Sequence, residues 1–260
     1  MRTAYATDLA YIHHHGFGDF ARNAAPSLLR MLRQSSIRDG LVVDLGCGSG
    51  IWARELTSAG YNVLGIDISP AMVALARKMT TRGAPPSFRT RRRETKVGRT
   101  AARFQVGSLW TIPLPACSAI TCLGEGMNYL FDERRHTLAQ LFRRVHTALA
   151  PGGVFIFDIA GFGRAGPTGH RRSWTAGQDW AILFEAREDP RRHLLTRRMI
   201  TFRQTGVRWR RSEETHRIRL FDPQQVAREL RRAGFKTQQL SGYSRTPFGP
   251  GLHGFLARRI

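Results

Sequence analysis

Residues 42–50 read VVDLGCGSG, an apolar run that breaks into a turn with glycine at every second position, Gly46, Gly48 and Gly50. Leu41 to Leu45 (LVVDL) is rich in β-branched residues and has the continuous apolarity of a buried parallel strand. Glycine is needed where the backbone takes positive φ or lies close against a ligand. A helix read at Ile51 to Ala59 follows, so its unpaired N–H groups and partial positive charge face whatever sits at the turn. Nucleotide-binding enzymes of several kinds use such a junction. The dinucleotide pattern G-x-G-x-x-G requires glycine at position 51, where this chain has Ile51, which disfavours a nicotinamide or flavin enzyme.

From that junction the chain alternates. Strands are expected at Asn62–Asp67, Arg103–Val106, Ala119–Leu123 and Val154–Ile159. Helices are expected at about Pro70–Lys78 and Glu133–Leu149, the latter stopped by Pro151, Gly152 and Gly153. Such alternation means a parallel sheet covered on both faces. Before it, residues 1–40 form an N-terminal helical lid with one helix from about Phe17 to Gln34. After it, the runs WAILFEAR, LLTRRMITFR and EETHRIRLF read as an antiparallel meander over Trp180–Leu220, followed by a helix at about Pro223–Ala233 and a final strand pair. The organisation expected is a lid at 1–40, a core at 41–160 and a substrate-side completion at 161–260. The core carries a charged insertion at 81–102 with no apolar period.

Asp67 ends the second strand about 20 residues beyond Gly46, a spacing that sets a carboxylate beside the turn to accept the hydroxyls of a ribose.

Together, VVDLGCGSG, GIDISPAMVALAR, FQVGSLWTIPLP and LAPGGVFIFDIA resemble the consecutive motifs of class I S-adenosylmethionine-dependent methyltransferases, over roughly Leu41 to Ala160. The resemblance implies an α/β fold with a Rossmann-like, seven-stranded, mostly parallel sheet whose last strand is antiparallel, and S-adenosyl-L-methionine as cofactor. Asp44 and the turn Gly46, Cys47, Gly48 and Gly50 would hold the methionine end, Asp67 the ribose, and Ile68 and Met72 the adenine. Where related sequences carry an acidic residue for the adenine amino group, this chain has Gly107, Ser108 and Leu109, so Ser108 or backbone takes that place. The fourth strand runs into CLGEGMNYL, where the family's substrate pocket begins. Asn128 and Tyr129, with Tyr11 of the lid, are the candidate substrate contacts, and His216, Glu125 and His15 the candidate bases.

The charge of +22 raises RNA as a partner, but 38 of the 41 basic residues are arginine, the skew of a GC-rich genome, and most are spread along the chain. The Asn/Asp-Pro-Pro-aromatic motif of amino-methylating nucleic acid enzymes is absent, and Cys117 follows Ala116 rather than proline, against carbon methylation of a pyrimidine. Transfer to N or O of a small metabolite is therefore the expectation. An RNA methyltransferase using the 89–103 loop, and a cofactor-binding protein without catalysis, are the alternatives. Three cysteines without zinc-ligand spacing support neither a disulfide framework nor a metal site. His13, His14 and His15 would point in three directions on a helix. With no apolar stretch long enough to cross a membrane and no apolar leader, a cytoplasmic protein is expected; the oligomeric state is left open.

Overall fold

The computed structural model describes residues 4–82, 100–131, 136–243 and 246–260. The helices are α1 (Thr7–Gly16), α2 (Asp19–Gln34), α3 (Ile51–Ser58), α4 (Pro70–Arg82), α5 (Leu138–Ala148) and α6 (Pro223–Arg232). The strands are β1 (Leu41–Leu45), β2 (Asn62–Asp67), β3 (Ala102–Val106), β4 (Cys117–Cys122) and β5 (Leu149–Ala160). They continue with β6 (His170–Ala176), β7 (Trp180–Asp189), β8 (Leu194–Thr205) and β9 (Arg208–Arg219). Last come β10 (Phe235–Leu240), the short β11 (Gly242–Tyr243) and β12 (Thr246–Pro247), and β13 (Leu252–Arg259).

Seven strands form one sheet in the order β10-β13-β5-β4-β1-β2-β3. β1 to β5 are parallel, and β13 is antiparallel to both β5 and β10. Alternation along β1 sorts its side chains between two cores. Val42 packs with α2, α3 and α4, while Val43 and Leu45 pack with α5 and α6 on the other face. All the parallel strands end at the same edge, so the glycine turn, Asp67 and the loop after β4 lie side by side.

The meander is a separate antiparallel sheet, β6-β7-β8-β9. Its inner face (Trp180, Ile182, Ala186, Leu195, Met199, His216 and Ile218) is buried against α1 and the loop after β4. α1 comes so close that a Cβ on Gly16 would lie 2.5 Å from the Trp180 ring.

The structure corrects three boundaries. The N-terminal segment expected as a lid holds two helices, broken at Phe17 and Gly18. α5 starts at Leu138, where Thr137 and Gln140 form a capping box, and Glu133 lies outside the described residues. The meander has a fourth strand, β6, whose seven residues are all exposed and so carry no burial alternation to read. Most of the 81–102 insertion also falls outside the described residues. Among the described residues, no helix is long and apolar enough to cross a membrane.

Candidate functional site

Gly46, Gly48 and Gly50 all have positive φ (68°, 52° and 71°), a region that costs an L-residue about 1–2 kcal/mol. A Cβ on Gly48 would meet nothing within 4 Å, so the turn presents bare backbone to an open cradle. Gly50 is constrained again from behind, since its Cβ would lie 2.9 Å from the Phe104 ring. α3 begins at Ile51 with no side-chain cap, leaving its first N–H groups free for a ligand. The Cys47 side chain turns away into the core, and burial pushes its thiol well up, so only its backbone belongs to the cradle.

Asp67 closes the other side. Its carboxylate accepts from the N–H of Gly48 and of Ser69, each at 2.8 Å. Burial raises its pKa while the two amides pull it back. A carboxylate has about four acceptor sites, so two remain for a diol. Asp44, at the end of β1, is 2% exposed and accepts from Thr121 Oγ1 at 2.8 Å, and burial raises its pKa to about 7. Beyond Asp67, Ile68 is half-buried and Met72 buried. Gly107 N–H binds the Asp67 carbonyl at 2.9 Å, which brings Ser108 and Leu109 alongside. Ser108 Oγ accepts from Trp110 N–H at 3.2 Å. These residues fit the cofactor that the sequence motifs imply: a side-chain-free cradle at a helix start, a carboxylate with spare acceptors and an apolar shelf.

One peptide group spans the site. The Tyr5 carbonyl accepts from Ser69 Oγ at 2.8 Å, and the N–H of the same peptide, on Ala6, donates to Glu214 Oε1 at 2.8 Å. The three histidines of α1 diverge. His14 Nδ1 bonds Ser49 Oγ at 2.7 Å, and burial holds its pKa near 4. His15 is exposed and stacks on Tyr11, whose hydroxyl donates to Asp179 at 2.9 Å under the Arg203 guanidinium. His13, which the sequence did not single out, faces inward, and burial lowers its pKa to about 4. Of the three, His13 packs against Tyr5, which also contacts His216, and Tyr11 and His15 sit on the α1–meander contact.

His216 is 2% exposed, and its Nε2 lies 2.9 Å from Glu214 Oε2. Its Nδ1 is buried with no hydrogen-bond partner among the described residues. Tyr5, Tyr129 and Phe131 ring it at centroid distances of 4.8, 5.7 and 4.8 Å. Tyr5 and Tyr129 share a hydroxyl–hydroxyl bond of 2.8 Å. Arg197 reaches Tyr129 Oη at 3.3 Å and Glu125 Oε2 at 2.7 Å, and Arg164 binds Glu125 from the other side. Burial pushes Glu125 up, but the two guanidinium groups outweigh it and hold the carboxyl below its ordinary range. An anion so held anchors arginines and is poorly placed to take up a proton.

Asn128, expected among the substrate contacts, is placed as a staple. It is fully buried, its amide donates to the carbonyls of Ala160 and Arg219, and it accepts from Ala160 N–H. It thus ties the loop after β4 to β5 and β9. Asn128→Ala removes this partner from Ala160 N–H and the Arg219 carbonyl, while the Ala160 carbonyl keeps the Phe221 N–H; each group left bare costs at least about 1 kcal/mol. We expect urea denaturation to show a total loss of about 2–4 kcal/mol, with cofactor affinity changed little in the folded fraction. Asp158, also missed from sequence, shapes the same loop: it accepts from Gly124 N–H at 3.0 Å, Glu125 N–H at 2.6 Å and Tyr243 Oη at 2.9 Å.

Residues 13–240 match the family model described as a methyltransferase domain. The chain is similar to the dTDP-3-amino-3,6-dideoxy-alpha-D-glucopyranose N,N-dimethyltransferase of Streptomyces fradiae, with 25% identity over 95% of this chain and 90% of that protein. Among solved structures, an S-adenosylmethionine-dependent methyltransferase of Clostridium acetobutylicum superposes with a TM-score of 0.76 at 19% identity, covering 96% of this chain and 97% of that one. A sugar N-methyltransferase of a Streptoalloteichus species superposes with a TM-score of 0.72 at 17% identity, covering 100% and 96%.

Proposed function

We propose that this chain, which belongs to the S-adenosylmethionine-dependent methyltransferases, methylates a nitrogen or oxygen of a small metabolite held between the glycine turn and the meander. The His216 imidazole carries this reading. Its Nε2–H donates to Glu214, which leaves the Nδ1 lone pair bare, buried and ringed by Tyr5, Tyr129 and Phe131. An unpartnered acceptor in such a place costs free energy unless a ligand's N–H or O–H meets it. The packing of α1 on the inner face of the meander beside this imidazole supports a small acceptor rather than a polymer.

In this scheme Gly46, Cys47, Gly48 and Gly50 supply backbone contacts, with Asp44 behind them, to the methionine end of the cofactor. Asp67 takes the ribose hydroxyls, and Ile68, Met72, Ser108 and Leu109 bound the adenine. When bound, the cofactor supplies a methyl group already activated on sulfonium. The protein's work is alignment, which removes up to about 7–11 kcal/mol of barrier, and proton removal where the acceptor arrives protonated. His216 Nδ1 takes that proton, and Glu214 fixes the tautomer and stabilises the imidazolium that forms. Tyr129 Oη, held between Tyr5 and Arg197, orients the acceptor. The Tyr5–Ala6 peptide links the two halves, since Ser69 beside Asp67 holds its oxygen and Glu214 beside His216 holds its nitrogen.

Asp44 gives cofactor binding a pH dependence. Its pKa is about 7 in the ligand-free protein, and an ammonium group nearby favours the ionised form. Binding therefore releases a proton. Affinity is expected to rise with pH up to about 7 and level off above it, by up to about tenfold per unit. Calorimetry across pH, with Asp44→Asn giving a flat profile, checks this.

The competing acceptor is tested by RNA retention across a salt series, for the wild type and for a variant with Arg91, Arg92 and Arg93 replaced by Ala. Weak binding with one slope in both proteins is expected. Tight binding whose slope falls by about 0.7 per lost phosphate contact in the variant would replace the small acceptor with RNA.

A further inference from the structure

β6 is the edge strand of the meander and is exposed along its whole length, HRRSWTA. Trp174 is 76% exposed, and its cross-strand neighbour Leu183 on β7 is 46% exposed. This strand is held by its ladder with β7 and by the bonds of His170 and Arg172 to Glu185 on β7, and a free, unbulged edge without proline is a template for another strand.

The hydrogen bonding says which groups are on offer. Glu188 N–H binds the Gly169 carbonyl at the start of the β6–β7 ladder, and Gly177 N–H binds the Trp180 carbonyl at its end. Bonding in an antiparallel pair alternates residue by residue. Arg171, Ser173 and Thr175 therefore turn their backbone groups to β7, and His170, Arg172, Trp174 and Ala176 turn theirs off the edge.

The geometry points to a second copy of this chain as the occupant, paired β6 to β6, antiparallel about a two-fold axis at Ser173. Bonding requires outward residues to face outward residues, so the axis must pass through a residue rather than between two. With the axis at Ser173, all seven residues pair. Arg172 faces Trp174 of the second copy, and Trp174 faces Arg172, on the same side as Leu183. The guanidinium then lies within reach of an indole face, twice. Arg171 faces Thr175, and no arginine stands opposite another. Moving the axis to Arg172 sets Arg172 against Arg172, and moving it to Trp174 leaves His170 and Arg171 beyond the end of the opposing strand. The strand is self-complementary in one register. The pairing fuses the two meanders into one continuous sheet and so braces, through β7 and β8, the strand β9 that carries His216. Each copy has a charge of +22, so association tightens as salt screens the repulsion, the opposite of the trend for RNA.

Sedimentation equilibrium of the full chain, with cysteine trapping, tests the pairing. Cys47, Cys117 and Cys122 are buried, so a disulfide dimer reports the introduced thiol. Ser173→Cys is expected to cross-link to itself under mild oxidation, because Ser173 meets Ser173 in a close, non-hydrogen-bonded pair. Thr175→Cys, opposite Arg171, is expected not to. Trp174→Pro removes an N–H that no strand among the described residues uses. It should leave the melting transition in place and weaken dimerisation at least about tenfold. A wild type monomeric at high micromolar concentration in high salt would overturn the proposal. So would a dimer unaffected by Trp174→Pro, or cross-linking of Thr175→Cys as efficient as that of Ser173→Cys.

Discussion

Asp67→Ala is expected to weaken binding of S-adenosylmethionine and of its demethylated product by at least tenfold and up to about 150-fold. The loss of a charged acceptor accounts for about 1.5–3 kcal/mol, and each 1.4 kcal/mol is a factor of ten. The hydrogen bonds from Gly48 and Ser69 place the effect towards the upper end, because the carboxylate proposed to take the ribose also fixes the left-handed turn. Asp67→Asn keeps an acceptor for one amide and should fall between the alanine variant and the wild type. The melting temperature of Asp67→Ala should drop as well, since Gly48 N–H loses its partner. Calorimetry that finds unchanged affinity would remove Asp67 from the cofactor site.

The second large effect belongs to turnover. His216→Asn is expected to lower kcat by about 10²–10⁴, the usual worth of a positioned base, with cofactor affinity unchanged. Glu214→Gln should cost less and act differently. Its amide can donate to Nε2, which favours the tautomer with the proton on Nδ1, where a proton-accepting lone pair is needed. The expected signature is a lower kcat with a displaced pH profile. A purely structural loss would lower the amount of active enzyme and leave the profile in place. A variant at His216 with wild-type kcat on an acceptor that arrives protonated would show that the proton leaves by another route.

Where chemistry is local, the sequence was readable. Three alternate glycines after an apolar strand, and an aspartate one strand later, are dictated by backbone conformation and spacing, and they stand at the cradle as a sequence pattern can describe them. The strands β1, β4 and β5 were legible for the same reason, since burial on both faces leaves a continuous apolar run. The acceptor side was harder. Glu214 meets Ala6 across 208 residues, and Arg197 meets Glu125 across 72, and nothing in either neighbourhood announces the partner. His15 and His13 differ only in which way α1 is rotated, and that rotation is set by Leu9 and Ile12 packing on Trp180, Ile182 and Met199. Asn128 carries the residue type of a substrate contact, but its neighbours made it a staple. β6 left no trace because a strand that packs on nothing has no apolar face to display.

Methyl tracing tests the central claim most directly. The protein is supplied with S-adenosylmethionine bearing a radiolabelled methyl group, together with an extract of the encoding cells that contains both RNA and small metabolites, and the two fractions are then separated. The account predicts label in the low-molecular-weight fraction, on nitrogen or oxygen, lost with His216→Asn and retained when Arg91, Arg92 and Arg93 are neutralised. Label in the RNA fraction, unaffected by His216→Asn and abolished by the arginine changes, would contradict it.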